Sequence, residues 1–185
     1  MKKQIIIAIT SRDRPGIIAK TTEVIYKLGG DVADLNQTVV CGYLSMILCA
    51  SFQKTIDQAE ISDALSQIET EHWFAISIKE IKEDNTGKAT GQDDIYILTV
   101  QGQNRTGIVH GISNFCYTNN INITDLATTL RAGQYTMALQ LDLTGCPCNR
   151  AELQEKIDRY AEENGLTILM QHNDIFRVTN EIPLH

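Results

Sequence analysis

The chain has 185 residues, and its 16 Lys plus Arg face 23 Asp plus Glu, for a formal net charge of −7. Hydrophobic residues at 43% and charged residues at 21% exclude a disordered or collagen-like chain. The acidic balance argues against direct nucleic-acid binding, which needs a surplus of Lys and Arg, and no apolar run reaches the roughly 18 residues of a membrane span.

The N-terminus, Met1 to Thr10, places two lysines before an apolar run, as a signal peptide does. The run is short and Asp13-Arg14-Pro15 follows it in place of a small-residue cleavage site, so it reads as a first strand. Ile5, Ile7 and Ile9 recur at period two. The period then changes: Ile17, Thr21, Val24, Ile25 and Leu28 mark one face of a helix. Pro15 suits the first turn of that helix, and Gly29-Gly30 its exit. Two strands joined by a turn at Gly42 follow, the second carrying Leu44, Met46, Leu48, Ala50 and Phe52 in alternation. Asp57 and Glu60 resemble a capping box opening a second helix with Ile61, Ala64, Leu65 and Ile68 on its buried stripe. Phe74, Ile76 and Ile78 close the series as a last strand.

Displaced by 91 residues, the sequence matches itself. Ile6 falls on Ile97, Arg14 on Arg105, Gly16 on Gly107, Ile17 on Ile108 and Tyr26 on Tyr117. Asp34-Leu35 falls on Asp125-Leu126, Gly42 on Gly133, Met46 on Met137 and Leu48 on Leu139. After one inserted residue, Ala59-Glu60-Ile61 falls on Ala151-Glu152-Leu153. The second copy repeats every element: Tyr96, Leu98 and Val100; Ile108, Ile112, Phe115 and Cys116; Tyr135 to Leu143 in alternation; Asn149 and Glu152 before Leu153, Ile157, Tyr160 and Ala161; then Leu166, Ile168 and Met170. The expected fold class is α+β: two ferredoxin-like βαββαβ domains, each an antiparallel sheet with its helices on one face. The expected boundaries are domain 1 at 1–83, a polar linker at 84–94, domain 2 at 95–172 and a tail at 173–185. The open sheet faces, with Ile6, Ala8, Ile47 and Cys49 in copy one, are too apolar to leave wet and predict cover by the other copy or a second chain.

Each first strand ends in a loop with a glycine before the helix: Asp13-Arg14-Pro15-Gly16-Ile17 and Asn104-Arg105-Thr106-Gly107-Ile108. A helix start offers free N–H groups and a partial positive charge, suited to a carboxylate. Glycine lets a ligand approach the backbone, and Asp13 or Asn104 can accept from an ammonium group. Set on a βαββαβ frame twice, with Gly-Asp-Val and Ile-Asn-Ile at the following strands, these loops resemble the ACT domain, a regulatory module that binds amino acids. Two copies without an attached enzyme, and the closing Asp174-Ile175-Phe176-Arg177, resemble the glycine cleavage system transcriptional repressor family. Resemblance to the regulatory domain of phosphoglycerate dehydrogenase implies a second contact from Asp31 and Asn122, which open the second strand of each copy. Copy two departs from the loop pattern at Asn104 and Thr106. An Asn104–Asn122 pair offers donors and acceptors to a zwitterion where two aspartates offer acceptors only, so the sequence favours the second loop, provided that a domain interface brings the two together.

The resemblance implies a cytoplasmic homodimer without cofactor that senses a small amino acid, glycine or serine, and regulates transcription through a DNA-binding partner protein. The rival is a dimerisation or adaptor module without ligand; a weaker one is an enzyme with an unrecognised site. Five cysteines, Cys41, Cys49, Cys116, Cys146 and Cys148, do not read as a disulfide framework and point to a reducing compartment. Cys146-Pro147-Cys148 reads as a loop rather than a metal site, and His72, His110, His172 and His185 form no metal-binding pair. No nucleophile motif, Walker loop or dinucleotide fingerprint is present.

Overall fold

The computed structural model describes residues 3–68, 73–81 and 95–173. The proposed linker, the Asp174–Arg177 segment, His72 and His185 lie outside the described residues. The chain divides into two compact units on either side of Thr86 and Gly87. Each is a four-stranded antiparallel sheet with two helices, the ferredoxin-like α+β fold.

Unit 1 runs β1 (Lys3–Arg12), α1 (Ile17–Lys27), β2 (Gly30–Val40), β3 (Tyr43–Phe52), α2 (Gln58–Ser66) and β4 (Phe74–Glu80). Its sheet order is β2-β3-β1-β4. Unit 2 runs β5 (Ile95–Gln103), α3 (Ile108–Thr118), β6 (Asn122–Arg131), β7 (Gln134–Asp142), α4 (Arg150–Asn164) and β8 (Thr167–His172), in the equivalent order β6-β7-β5-β8. The period-two isoleucines of β1 pair with the alternating residues of β3, Ile5 with Ala50, Ile7 with Leu48 and Ile9 with Met46. All six are buried, and Ile17, Ile25, Ile61 and Leu65 of the helices close over them. Unit 2 builds the same core from Leu98, Val100, Met137, Leu139 and Leu141 under Ile108, Ile112, Cys116, Leu153 and Ile157.

The local signals operate with some displacement. Pro15 lies one residue outside the helix, because Gly16 is the N-cap, with φ 95. Gly29 takes the left-handed exit at φ 77, whereas Gly30 already belongs to β2. The capping box is complete at Asn149 and Glu152, while Asp57 accepts from the Ala59 N–H. The β2–β3 turn has positive φ at both Cys41 (52) and Gly42 (78), and the β6–β7 turn repeats this at Ala132 (49) and Gly133 (80). Paired positive φ values in a two-residue loop are the type I′ hairpin geometry. A bulge interrupts β2 between Val32 and Asp34, and β6 between Ile123 and Asp125.

Candidate ligand site

The β1–α1 loop is held from two sides. Its helix start is fixed by Gly16, whose carbonyl accepts the Lys20 N–H at 2.9 Å, and its strand end is tied to the hairpin turn by Asp13 N–H donating to Gly42 O at 3.0 Å. Unit 2 repeats both bonds, from Gly111 to Gly107 O and from Asn104 to Gly133 O. Both N-cap glycines have φ near +95 and open space where a Cβ would stand. The backbone conformation demands glycine there, and the missing side chain leaves the helix start uncovered.

In unit 1 this loop forms one wall of a cleft of about 510 Å³. Asp13, Arg14, Pro15, Gly16 and Ile17 line it, with Ile18 and Ala19 of the first helical turn. Gln37, Val39 and Leu44 of the hairpin form the other wall. The cause lies in the register. Val39 pairs with Leu44, on the sheet face that carries the helices, but α1 starts too late to cover this end, so Val39 stays 45% exposed. Ile17, Ile18 and Ala19 belong to the turn whose N–H groups have no intrahelical acceptor, and no side chain caps them. The cleft therefore combines apolar walls, backbone donors, a carboxylate and a guanidinium.

In unit 2 the repeat and the strand register place Leu130 and Tyr135 where Val39 and Leu44 stand, both bulkier. Arg105, the counterpart of Arg14, donates to the Asn164 carbonyl at 2.9 Å and so braces the end of α4. Thr106 and Ile108 flank the Gly107 cap, with Ile108 buried in the core.

Within each unit the loop residue and the residue that opens the second strand lie apart. Asp13 follows the end of β1 that pairs with Tyr43, and Asp31 pairs with Ser51 at the opposite end of β3. The same holds for Asn104, beside Gly133, and Asn122, paired with Asp142. Within one unit neither pair forms a site. Asn122 instead lines a separate polar cavity of about 260 Å³ with Tyr117, Asn120, Ile121, Asp142 and Gly145.

The sequence reading missed three features: the hairpin wall of the cleft, an aromatic pair at the edge of the open sheet face, and a lysine set against a cysteine in unit 2. Tyr43 meets Trp73 edge-on at 6.1 Å, with the Arg12 guanidinium 5.8 Å from the Tyr43 ring. Period-two reading singled out the middle of β3 and passed over its first residue. Among the described residues no cluster of three His, Cys, Asp or Glu is placed to hold a metal, and no helix is long and apolar enough to cross a membrane.

Comparison with known proteins follows the division into units. A family model described as ACT domain matches residues 3–79. A UPF0237 protein of Methanocaldococcus jannaschii is 35% identical over 86 residues, 46% of this chain and 96% of that protein. One from Neisseria meningitidis serogroup A is 35% identical over 89 residues, again 46% and 96%. Each such relative is thus about as long as one unit. Over both units, a crystal structure of an unknown protein from Galdieria sulphuraria superposes with TM-score 0.73 at 20% identity, covering 92% of this chain and 98% of that one. A structure of a candidate glycine cleavage system transcriptional repressor superposes with TM-score 0.69 at 14% identity, covering 92% and 97%. At these identities the two structures establish the tandem fold. The family model and the two relatives establish the rest: the chain belongs to the ACT domain family.

Proposed function

We propose that the chain is an amino-acid-binding regulatory protein and that the cleft beside α1 of unit 1 is its ligand site. The observation that carries this reading is the meeting of an open cleft with an uncapped helix start. The ligand carboxylate takes the N–H groups of the first turn, where the helix dipole favours an anion. Asp13 accepts from the ammonium group, and Val39 and Leu44 leave room for a short side chain. Glycine and serine fit these requirements. The protein acts in the cytoplasm on transcription of genes of glycine or related amino-acid metabolism, through a partner protein that contacts DNA. A homodimer is part of the proposal, because Asp31 and Asn122 lie far from the loop of their own unit and can complete a site only across an interface.

The test is a thermal-shift screen of the twenty amino acids on the full chain. A ligand at 100 times its dissociation constant stabilises the native state by about 2.7 kcal/mol. Glycine or serine is expected to raise the melting temperature, Asp13→Ala to remove the effect, and Asn104→Ala to leave it. Loss in Asn104→Ala alone moves binding to the second loop and refutes the cleft. A flat screen supports the other reading, a dimerisation or adaptor module. The open face of unit 1 favours that alternative, with Val40, Tyr43, Ile47 and Trp73 all exposed.

A further inference from the structure

One corner of unit 2 is polar where the same corner of unit 1 is apolar. In unit 1, Leu28 is the C-cap of α1, Ile56 precedes the Asp57 N-cap, and Ala64 lies on α2. Ile56 is buried in the core and Leu28 packs against it. The repeat carries these positions to Asn119, Cys148 and Lys156, with the C-cap at Asn119 and the N-cap at Asn149 preserved. The fold is built without polar groups in one copy, so packing does not require them in the other.

The three side chains are bonded together. Lys156 Nζ donates to Asn119 Oδ1 at 2.8 Å and to Cys148 Sγ at 2.9 Å. Asn119 is buried, and its Nδ2 donates to the Phe115 carbonyl at 2.8 Å, which turns Oδ1 toward the lysine. The ammonium group is thereby fixed against the sulfur. The hydrogen bond to Cys148 raises the Lys156 amine above its ordinary range. Cys146 lies two residues away across Pro147, in a turn closed by its backbone N–H donating to the Leu143 carbonyl at 2.9 Å. Both cysteines are partly exposed.

We infer that Cys148 is a hydroperoxide-reactive thiol, with the Lys156 ammonium group held against its sulfur and Cys146 as the resolving thiol. Cys148 sulfur attacks one peroxide oxygen; an S–O bond forms, the O–O bond breaks, and the thiol proton ends on the departing alkoxide, giving a sulfenic acid and an alcohol. Cys146 sulfur then attacks Cys148 sulfur. An S–S bond forms, the S–O bond breaks, and hydroxide leaves with the Cys146 proton as water. Two thiols lose two electrons and the hydroperoxide gains them. The product closes the loop between β7 and α4, beside Gly145 and the cavity at Asn122.

The remaining cysteines serve as internal controls, with Cys41 exposed, Cys49 partly exposed and Cys116 buried. The reduced full chain is treated with one equivalent of hydrogen peroxide at neutral pH, digested and weighed. The peptide holding Cys146 and Cys148 is expected to lose two hydrogens before Cys41 is modified, and to regain them with dithiothreitol. Cys146→Ser should hold one added oxygen on Cys148, trapped by dimedone. Lys156→Ala, the residue unit 1 carries at that place, should slow the reaction roughly tenfold; Lys156→Gln, which keeps a donor without charge, should do the same. Oxidation of Cys41 as fast as Cys148 overturns the inference. So does an unchanged rate in either folded lysine variant, or a disulfide from Cys148 to a cysteine other than Cys146.

Discussion

Gly29 and Gly30 stand side by side for different reasons, and Gly30→Ala separates them. Gly30 lies in β2 without a positive φ, so alanine meets no backbone objection there. Its Cβ, however, would lie 2.5 Å from Phe52 Cε1 and 2.9 Å from Ile25 Cγ2. Both neighbours are fully buried, at 1% and 0% exposure, and have nowhere to move. Overpacking of this kind costs about 1–3 kcal/mol. The reduced freedom of the unfolded chain returns about 0.4–1 kcal/mol. Unit 1 should therefore lose about 1–2 kcal/mol, and each kcal/mol lowers the melting point of a domain this size by about 4–8 °C. Urea unfolding followed by the fluorescence of Trp73, the single tryptophan and a residue of unit 1, reads that unit. Phe52→Leu removes the offending ring atoms, so the double variant should be more stable than the two single losses predict, by about 0.5–3 kcal/mol. Gly29→Ala should show no such rescue, because φ 77 and not crowding excludes a side chain there. A Gly30→Ala protein as stable as the wild type, or strict additivity with Phe52→Leu, refutes the steric argument.

Ala132 holds φ 49 in the type I′ turn of unit 2, a conformation that costs an ordinary residue about 1–2 kcal/mol and asparagine less. Ala132→Asn should raise the unfolding midpoint by about 0.5–1 kcal/mol in stability; a lowered midpoint would show that the alanine is not strained. Burial raises the Cys116 thiol to about 11, against 9.0 for the free group. The unfolded chain therefore loses this proton first, and unit 2 should lose stability between about pH 9 and 11, by on the order of 2 kcal/mol. Tyr160, raised by burial, acts in the same direction. Cys116→Ala should flatten part of that slope, as chemical denaturation across this pH range would measure; an unaltered slope rejects the assignment.

The fold was legible because its signals are periodic and repeated. Ile5, Ile7 and Ile9 alternate because one sheet face is buried, and Ile17, Thr21 and Ile25 recur because one helix face is. What was not legible depends on places where periodicity stops. Gln37 and Val39 extend past the start of α1 and are exposed, so burial imposes no period on them, yet they form the second wall of the cleft. The bulges in β2 and β6 shift register without any glycine or proline at the break. Lys156 reaches Cys148 across a helix cap and Asn119 across 37 residues of chain, and no spacing rule joins the three.

The two units act as controls for each other. They share core, register, bulge, hairpin turn and the loop-to-hairpin bond, so these features belong to the fold and carry no information about ligand. Where they part, the difference has a chemical sign. Leu44 lines the cleft at the position Tyr135 takes in unit 2, and Arg14 lines that cleft while Arg105 donates to the carbonyl of Asn164. In the other direction, the apolar corner of Leu28, Ile56 and Ala64 becomes the bonded set of Asn119, Cys148 and Lys156. A duplicated domain kept only as a scaffold would drift toward neutral surface changes. These changes instead exchange a residue of the cleft wall in one copy and set an ammonium group beside a sulfur in the other. On that argument the proposed ligand binding belongs to unit 1 and the inferred thiol chemistry to unit 2. Exchanging Leu44→Tyr in unit 1 should therefore abolish the amino-acid-induced thermal shift and leave the peroxide reactivity of Cys148 unchanged. A shift that survives the exchange would separate the ligand site from the cleft.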